Sequence, residues 1–371
     1  MNKAIIDKAM KLRHHLHMYP ELSEQEHETK RVLIEFLKEN TSLEIVDRGK
    51  WFYAKYETEE KRKPSIAFRA DFDAIKVLEN DRLPYASRNP GVAHKCGHDG
   101  HASALCAFAM DVDENGADRD IYFIFQHAEE TGAGARECCV LIDEENISEV
   151  YGVHNQPGES FGCICTRPGV VNFASVGIEY SLTGAPTHAS TPELGRNPAK
   201  AVSRMVLAID DITAAQNPKG RLLATVIQMD VGERAFGVSA WEGKLLLTVR
   251  GEYGEEMDAF IEALNATAAE ECEEYGLELS IQYYERFPDT YNHPEAVEKI
   301  KKICEDNNLE YVEMEPMRSS EDFGEFTKKT CGALIWLGAG ENWPPLHDEN
   351  FDYNDALIEE TCELFRLLVE A

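Results

Sequence analysis

The chain has 371 residues, and its 37 Lys and Arg against 68 Asp and Glu give a formal net charge of −31. Nucleic acids and anionic membranes attract basic surfaces, so this charge argues against both as partners. At 43% hydrophobic residues and a length that suits two domains, the sequence predicts a folded protein with a sizeable core.

No targeting or membrane-spanning segment is visible in the sequence. The first residues lack an apolar stretch long enough for a signal peptide, and no run of about 18 apolar residues occurs. We therefore expect a cytoplasmic protein. Its ten cysteines are expected to be reduced, most of them acting as small apolar residues.

Strands alternate with helices over most of the chain. A helix is predicted over 23–40, where Ser23 and Glu26 have the spacing of a capping box. Apolar strands are predicted at 65–70, 121–125, 150–153 and 333–337, and a last helix at 357–369. This alternation predicts an α/β domain with a mostly parallel sheet flanked by helices. Ligands bind at the carboxyl ends of the strands in such sheets.

The middle of the chain has a different pattern. Strand-like and helical segments are predicted there at 176–182, 198–216, 222–229, 244–253, 255–275 and 277–284. Their order, β-α-β-β-α-β, is that of a ferredoxin-like α+β domain. We therefore predict a small domain, 174–286, inserted into a discontinuous catalytic domain formed by 1–173 and 287–371.

The densest cluster of reactive side chains is residues 94–101, which read HKCGHDGH. Thiolate and imidazole are strong ligands for a borderline divalent metal. A helix N-terminus that is merely rich in histidine would have the same composition. This segment alone does not distinguish the two interpretations.

Further polar residues fall at comparable places in the predicted sheet. Glu129 and Glu130 follow a strand and precede a Gly-rich turn, where one could ligate a metal and the other act as a general base. A surface turn is the ordinary explanation for such a pair. His154 ends another predicted strand and His347 lies in a loop, and either alone would be structural. Because all lie on the ligand-binding side of the sheet, we expect them to converge.

Seven motifs occur in order along the chain: LRHHLHMYPELSEQE, FRADFDAI, HKCGHDGH, FQHAEETGAGA, YGVHNQPG, SSEDFGEF and LHDENFDYND. Together they resemble the aminoacylase/carboxypeptidase superfamily of co-catalytic metallopeptidases. Within it, the chain is similar to the N-acyl-amino-acid amidohydrolase branch, which includes hippurate hydrolase, indole-acetyl-amino-acid hydrolases and N-acetyl-diaminopimelate deacetylase. The resemblance covers nearly the whole chain.

The resemblance implies a metal-dependent amidohydrolase that cleaves the amide bond of N-acyl amino acids with two divalent ions per subunit. Zn, Mn, Co and Ni all suit the ligand types. The metal-ligand positions are occupied by Cys96, His98, Glu130, His154 and His347. Cys96 would bridge the ions, with the histidines His98 and His154 on one ion and Glu130 with His347 on the other.

The resemblance also implies roles around the metals. Glu129 occupies the position of the general base, which takes a proton from a metal-activated water and delivers it to the leaving amine. Asp73 is expected to accept a hydrogen bond from a ligating histidine. Asp71 and Asp99 are similar candidates, although either would also serve to cap a turn.

The predicted small domain departs from the family pattern in two places. His188 matches the histidine that donates to the oxyanion in the active site of a neighbouring subunit, which implies a homodimer, but Pro186 and Thr187 replace the two glycines before it. Gly237 stands where the family has an asparagine that holds substrate. Arg250 matches the family's arginine and is either a substrate contact or a structural residue.

Three other functions compete with an amidohydrolase acting on a small N-acyl amino acid. A dipeptidase or aminopeptidase-like enzyme of the same superfamily would act on short peptides instead. A non-catalytic binding homologue would have lost the base or the ligands, yet all of these positions are occupied here. A cysteine-nucleophile hydrolase built on Cys96 and His98 would be insensitive to chelators, and a metal-bound thiolate is no free nucleophile.

Overall fold

The computed structural model describes residues 2–59, 61–80 and 82–371, which form two compact units. The larger unit consists of Met1–Val171, Thr290–Glu315 and Glu321–Ala371. The smaller unit consists of Asn172–Asp289 and Pro316–Ser320. In sequence, the smaller unit therefore interrupts the larger one.

The helices are numbered in chain order. They are α1 (Lys3–Met18), α2 (His27–Asn40), α3 (His98–Asn115), α4 (Gly134–Cys138), α5 (Val140–Glu144), α6 (Ala199–Gln216), α7 (Gly254–Glu274), α8 (Pro294–Asn307), α9 (Gly324–Thr327) and α10 (Leu357–Glu370). None of the helices in the described part of the chain is long and apolar enough to cross a membrane.

The strands are numbered in the same way. They are β1 (Glu44–Asp47), β2 (Phe52–Tyr56), β3 (Ile66–Asp71), β4 (Ile121–Gln126), β5 (Glu149–Pro157), β6 (Ile164–Thr166), β7 (Gly169–Asn172), β8 (Ala174–Thr183), β9 (Leu222–Val231), β10 (Glu242–Gly251), β11 (Glu278–Phe287), β12 (Thr290–Asn292), β13 (Tyr311–Glu313) and β14 (Cys331–Gly340).

The larger unit is built on an eight-stranded sheet with the order β1-β2-β4-β3-β5-β14-β6-β13. The four central strands β4, β3, β5 and β14 run parallel to one another, and antiparallel pairs occur toward the edges. β3 and β4 are buried along their whole length, as expected for parallel strands covered by helices on both faces. The sequence prediction of a mostly parallel sheet is confirmed.

Helix α3 is the central helix of the larger unit. Every residue from His98 to Val112 is buried, and α3 packs against α1, α2 and α10. On its sheet side, the ring of Phe108 lies edge-on to Phe68 of β3, with ring centroids 5.1 Å apart. The run of alanines in this helix allows such close packing. As a result, the N-terminus of α3, which begins at His98, is held at the carboxyl end of the sheet.

The smaller unit is a four-stranded antiparallel sheet with two helices, α6 and α7. The strand order is β11-β8-β10-β9, and every neighbouring pair is antiparallel. The buried face of β8 consists of alternate residues (Val176, Ile178, Tyr180, Leu182). These residues pack in one core with α6 and α7, which is the ferredoxin-like arrangement that the order of elements predicts.

Three local features of the structure bear on sequence predictions: the start of α2, the position of His154 and the state of the cysteines. The capping box is wrong, because α2 begins at His27 and Ser23 donates to the Oδ2 atom of Asp73 instead. The first turn of α2 is capped by Glu21, whose Oε2 accepts from the N–H of Thr29. His154 lies inside β5 and does not end it. All ten cysteines are free thiols, and nine of them are buried.

Candidate metal centre

The five predicted ligand positions converge in the larger unit. The Sγ of Cys96 forms one group with ring nitrogens of His98 and His154, and a second group with Glu130 and His347. Within each group, the ligand atoms all lie within 4.8 Å of one another. Cys96 is therefore common to both groups, as a bridging ligand would be.

Individual distances place these atoms around a common space. The Nε2 of His98 lies 3.7 Å from the Oε1 of Glu130, and the Nε2 of His347 lies 3.8 Å from the same oxygen. The Sγ of Cys96 lies 3.5 Å from the Nε2 of His154. Glu129 borders the same space, with its Oε2 3.9 Å from the Nε2 of His98.

Hydrogen bonds orient both buried histidines toward that space. The Nδ1 of His154 lies 2.9 Å from the backbone carbonyl of Asn155, which can only accept, so Nδ1 carries the proton and Nε2 is free to ligate. The Nδ1 of His98 is 3.0 Å from the Oδ1 of Asp73. Asp73 thus lies where a carboxylate that orients a metal-ligating histidine is expected.

The donor set fits a divalent cation. In the part of the chain that the structure describes, His98 Nε2 and Glu130 Oε1 are buried without a hydrogen-bond partner. Burial raises the pKa of Glu130 to about 7, and burial with Glu130 raises the pKa of the Cys96 thiol. A cation among thiolate, imidazole and carboxylate would offset these desolvation and repulsion costs and keep the ligands in their binding form.

Glu129 is a buried carboxyl in a strongly acidic environment. Burial, followed by repulsion from Glu321 and Glu130, raises its pKa well above the ordinary value. A raised pKa favours the protonated carboxyl, which is the form that a general base reaches after it has taken a proton from water. A cation bound nearby would favour the carboxylate and so oppose this rise in the pKa of Glu129.

Backbone geometry makes a glycine necessary between two of the ligands. Gly97 has φ 106°, and a Cβ at this position would lie 2.2 Å from the Oδ1 of Asn155. The Oδ1 of Asn155 also lies 2.7 Å from the Nε2 of His101. Gly97 therefore allows the chain to turn between Cys96 and His98 against a side chain that cannot easily move.

The turn that carries Glu129 and Glu130 begins with an unusual residue. Ala128 has φ 49°, in the left-handed region, which costs a non-glycine residue about 1–2 kcal/mol. Its N–H donates to the Oε1 of Glu26 at 2.7 Å. The N–H of Glu130 donates to the Oδ2 of Asp73 at 3.0 Å, so the turn is held at both ends.

A buried network beneath this turn was not predicted from the sequence. The guanidinium of Arg69 donates to Asp71 at 2.6 Å and to Asp322 at 2.8 Å. Asp322 also accepts from the N–H of Ala135, at the start of the helix after the glutamate pair. The motifs FRADFDAI and SSEDFGEF are thereby joined by an ion pair that braces the turn.

A second network lies behind the segment 94–101 and gives Asp99 a role. Asp99 is buried and lies 2.8 Å from the Nδ1 of His17 and 3.4 Å from Arg13. The other ring nitrogen of His17 lies 2.9 Å from Glu79, which also pairs with Lys95. Asp99 is therefore engaged with α1 and does not contact a predicted metal ligand through these bonds.

The remaining predicted site residues belong to the smaller unit. His188 is exposed, and its Nδ1 lies 2.7 Å from the Oγ of Ser190. Arg250 donates to the backbone carbonyl of Arg318 and to the Oγ of Ser320, both at 2.8 Å. Gly237 faces open space, because no atom of the residues that the structure describes lies within 4 Å of the position that a Cβ would take. These contacts favour a structural role for Arg250.

Known proteins resemble this chain over nearly its whole length. N-acetyldiaminopimelate deacetylase from Exiguobacterium sibiricum is 27% identical over 369 residues, covering 94% of this chain and 95% of the relative. N-acetyl-L-cysteine deacetylase from Bacillus subtilis is 28% identical over 334 residues, covering 88% of this chain and 79% of the relative.

A solved structure shows the same fold. The crystal structure of a dinuclear metal-binding peptidase of the M20 family from Bacillus subtilis matches with a TM-score of 0.83 and 24% identity, covering 99% of this chain and 98% of that one. The sequence model of peptidase family M20/M25/M40 matches residues 67–371. The chain therefore belongs to peptidase family M20/M25/M40 and is a metal-binding hydrolase of amide C–N bonds.

Proposed function

We propose that this chain is an N-acyl-amino-acid amidohydrolase that holds two divalent ions and uses Glu129 as its general base. The observation that carries the proposal is the pair of donor groups that share Cys96, with Glu129 beside both. The relatives that bear the names of N-acetyl-amino-acid deacetylases support the substrate class. Cys96, His98 and His154 would hold one ion, and Cys96 with Glu130 and His347 the other.

The overall reaction adds water across the amide bond and releases a carboxylic acid and an amino acid. Bound divalent ions supply Lewis-acid polarisation of the amide carbonyl and lower the pKa of water. The carboxylate of Glu129 removes a proton from the attacking water and then donates it to the nitrogen of the leaving amine. Asp73 keeps the ring of His98 oriented throughout by accepting from its Nδ1.

His188 of one copy of the chain would donate to the oxyanion that develops on the former carbonyl oxygen in the active site of a second copy. Its imidazole is exposed on the smaller unit, as such a role requires. Donors of this type contribute about 3–4 kcal/mol to transition-state stabilisation. In this role His188 acts only in the assembled homodimer.

An exposed edge of the smaller unit supports the homodimer. Strand β9 lies at the edge of the four-stranded sheet, and its Ile227 and Met229 are 60% and 45% exposed. Leu207 of α6 is 78% exposed. Apolar side chains next to an unpaired strand edge are a suitable surface for a second copy of the same chain.

The experiment that tests the proposal is amine release after chelator treatment and reloading with Mn, Co, Ni or Zn. The substrates are acetyl-, benzoyl- and indole-acetyl amino acids, N-acetyl-diaminopimelate and unmodified dipeptides. Metal-restored release from an acyl amino acid is the expected result. Release from dipeptides alone would assign the chain a peptidase activity instead. The absence of release with any ion would contradict the proposal and favour a non-catalytic binding protein.

A further inference from the structure

Glu26 is the last residue of the motif LRHHLHMYPELSEQE and has no part in the proposed proton transfer. Its side chain is buried, and its Oε1 accepts a hydrogen bond of 2.7 Å from the N–H of Ala128, just before the glutamate pair. We propose that Glu26 is a positioning residue that directs the carboxylate of Glu129. This inference rests on the proposed function, in which Glu129 is the base.

The backbone around Ala128 shows why an external contact is needed. Ala128 has φ 49°, a conformation that residues with a Cβ rarely adopt. Its carbonyl oxygen accepts from the N–H groups of Ala133 and Gly134, at 3.2 and 3.1 Å. Glu26 holds the N–H on the other side, so both backbone polar groups of Ala128 are fixed. These contacts fix the backbone immediately before Glu129 and so constrain the direction in which its side chain leaves the chain.

The segment before α2 holds the other end of the turn as well. The hydroxyl of Ser23 donates to the Oδ2 of Asp73 at 2.7 Å, and the same oxygen accepts from the N–H of Glu130 at 3.0 Å. Glu26 therefore bonds directly to the residue before Glu129, and Ser23 bonds to the carboxylate that accepts from the residue after it. This is the arrangement expected of a brace for a catalytic turn.

A buried carboxyl at position 26 destabilises the fold unless its oxygen serves as a hydrogen-bond acceptor. Burial, followed by repulsion from Asp73, raises the pKa of Glu26 to about 8. A leucine of similar size would avoid both costs, but it would leave the N–H of Ala128 without its acceptor. Glutamine would keep an acceptor oxygen without the charge. Comparing the Leu and Gln variants therefore distinguishes the effect of losing the acceptor oxygen from the effect of losing the charge.

The test compares Glu26→Leu with Glu26→Gln, measuring kcat, KM and metal content on the best substrate of the panel. We expect Glu26→Leu to lower kcat about 10- to 100-fold with KM and metal content close to wild type. Glu26→Gln should retain most of the turnover. Hydrogen exchange at the amide of Ala128 should accelerate in the Leu variant and not in the Gln variant.

Two further variants separate positioning from loss of stability. Leu33→Ala removes a buried side chain of α2 without touching the turn, so kcat below its unfolding temperature should remain at the wild-type value. Ala128→Gly, added to Glu26→Leu, should restore part of kcat, because glycine adopts the left-handed conformation without an external contact.

The proposal has clear contrary outcomes. Wild-type kcat in Glu26→Leu would overturn it, as would equal losses in the Leu and Gln variants. Failure of the underlying proposed function is recognised separately, because Glu129→Gln would then keep wild-type turnover in the same assay whatever Glu26 does.

Discussion

The Nδ1 atom of His17 lies 2.8 Å from the Oδ2 atom of Asp99, so helix α1 is tied to the residue that follows His98. Arg13, one turn earlier in the same helix, contacts Asp99 and Asp352. The opening motif of the chain is thus bonded to the rear of the segment that carries Cys96 and His98. Arg13 and His17 thus stabilise the segment 94–101 from the side of α1.

This arrangement predicts a pH dependence of stability. Burial alone would lower the pKa of His17, but Asp99 and Glu79 raise it to about 9. Because the folded pKa exceeds the unfolded value of about 6.5, the stabilising contribution is complete below that value and is lost as pH rises through 9. The difference between about 9 and about 6.5 corresponds to a contribution of roughly 3 kcal/mol.

The measurement is the free energy of unfolding in denaturant between pH 6.5 and 9.5. His17→Gln should flatten the decline that the wild type shows over this range. His15→Gln, on the exposed side of the same helix, should decline like the wild type. Identical slopes in all three proteins would contradict the ion-pair assignment.

Asp73→Asn should weaken metal binding. The variant loses the carboxylate that orients His98 and disturbs the acceptor for the N–H of Glu130, so affinity should fall about 10- to 100-fold. Competition against a chromogenic chelator measures this directly. Ser23→Ala removes only one bond to Asp73 and should lose less affinity. Equal affinity in wild type and Asp73→Asn would exclude the orienting role.

Gly97→Ala should destabilise the site more than the matched change Gly91→Ala. Both glycines have positive φ, but a Cβ at Gly97 would lie 2.2 Å from Asn155, whereas no atom of the described residues lies within 4 Å of a Cβ at Gly91. Overpacking of this kind typically costs about 1–3 kcal/mol. Thermal unfolding and bound metal per chain, compared between the two variants, report the difference. Equal losses of stability and bound metal in the two variants would mean that Asn155 moves away from the added Cβ with little loss of stability.

Leu207→Glu should disrupt the proposed homodimer. A charge on the exposed face of α6 would be buried in the interface without a partner. Light scattering should therefore show a shift toward monomer. Turnover should fall as well, because His188 acts only in the assembled dimer. Leu78→Glu changes an equally exposed leucine of the larger unit and serves as the control. A dimer that persists in Leu207→Glu would place the interface elsewhere.

The alternation of strands and helices was predictable because it depends on local pattern. The parallel sheet, the antiparallel smaller unit and the approximate bounds of their main strands and helices follow from apolar periodicity and turn residues. Ser23 shows the limit of that approach. Its spacing to Glu26 is that of a capping box, but both side chains bond to residues far along the chain, Asp73 and Ala128. Hydrogen bonds to residues distant in sequence therefore replaced the local bonds that the motif predicts.

The networks around the site could not be predicted because their partners are distant in sequence. Arg13 and Asp352 are 339 residues apart, and Arg69 and Asp322 are 253 residues apart. A buried arginine needs several carboxylates, but no local spacing reveals which ones the fold will supply. Only the ordered motifs indicated that these segments belong to one site.

The central claim is that Glu129 transfers the proton at the metal centre. Its most direct test is the kcat of Glu129→Gln at metal content equal to wild type, on the best acyl-amino-acid substrate. The account predicts normal metal binding with turnover reduced by about 10²- to 10⁴-fold. Wild-type turnover in this fully loaded variant would contradict the account and remove Glu129 as the base.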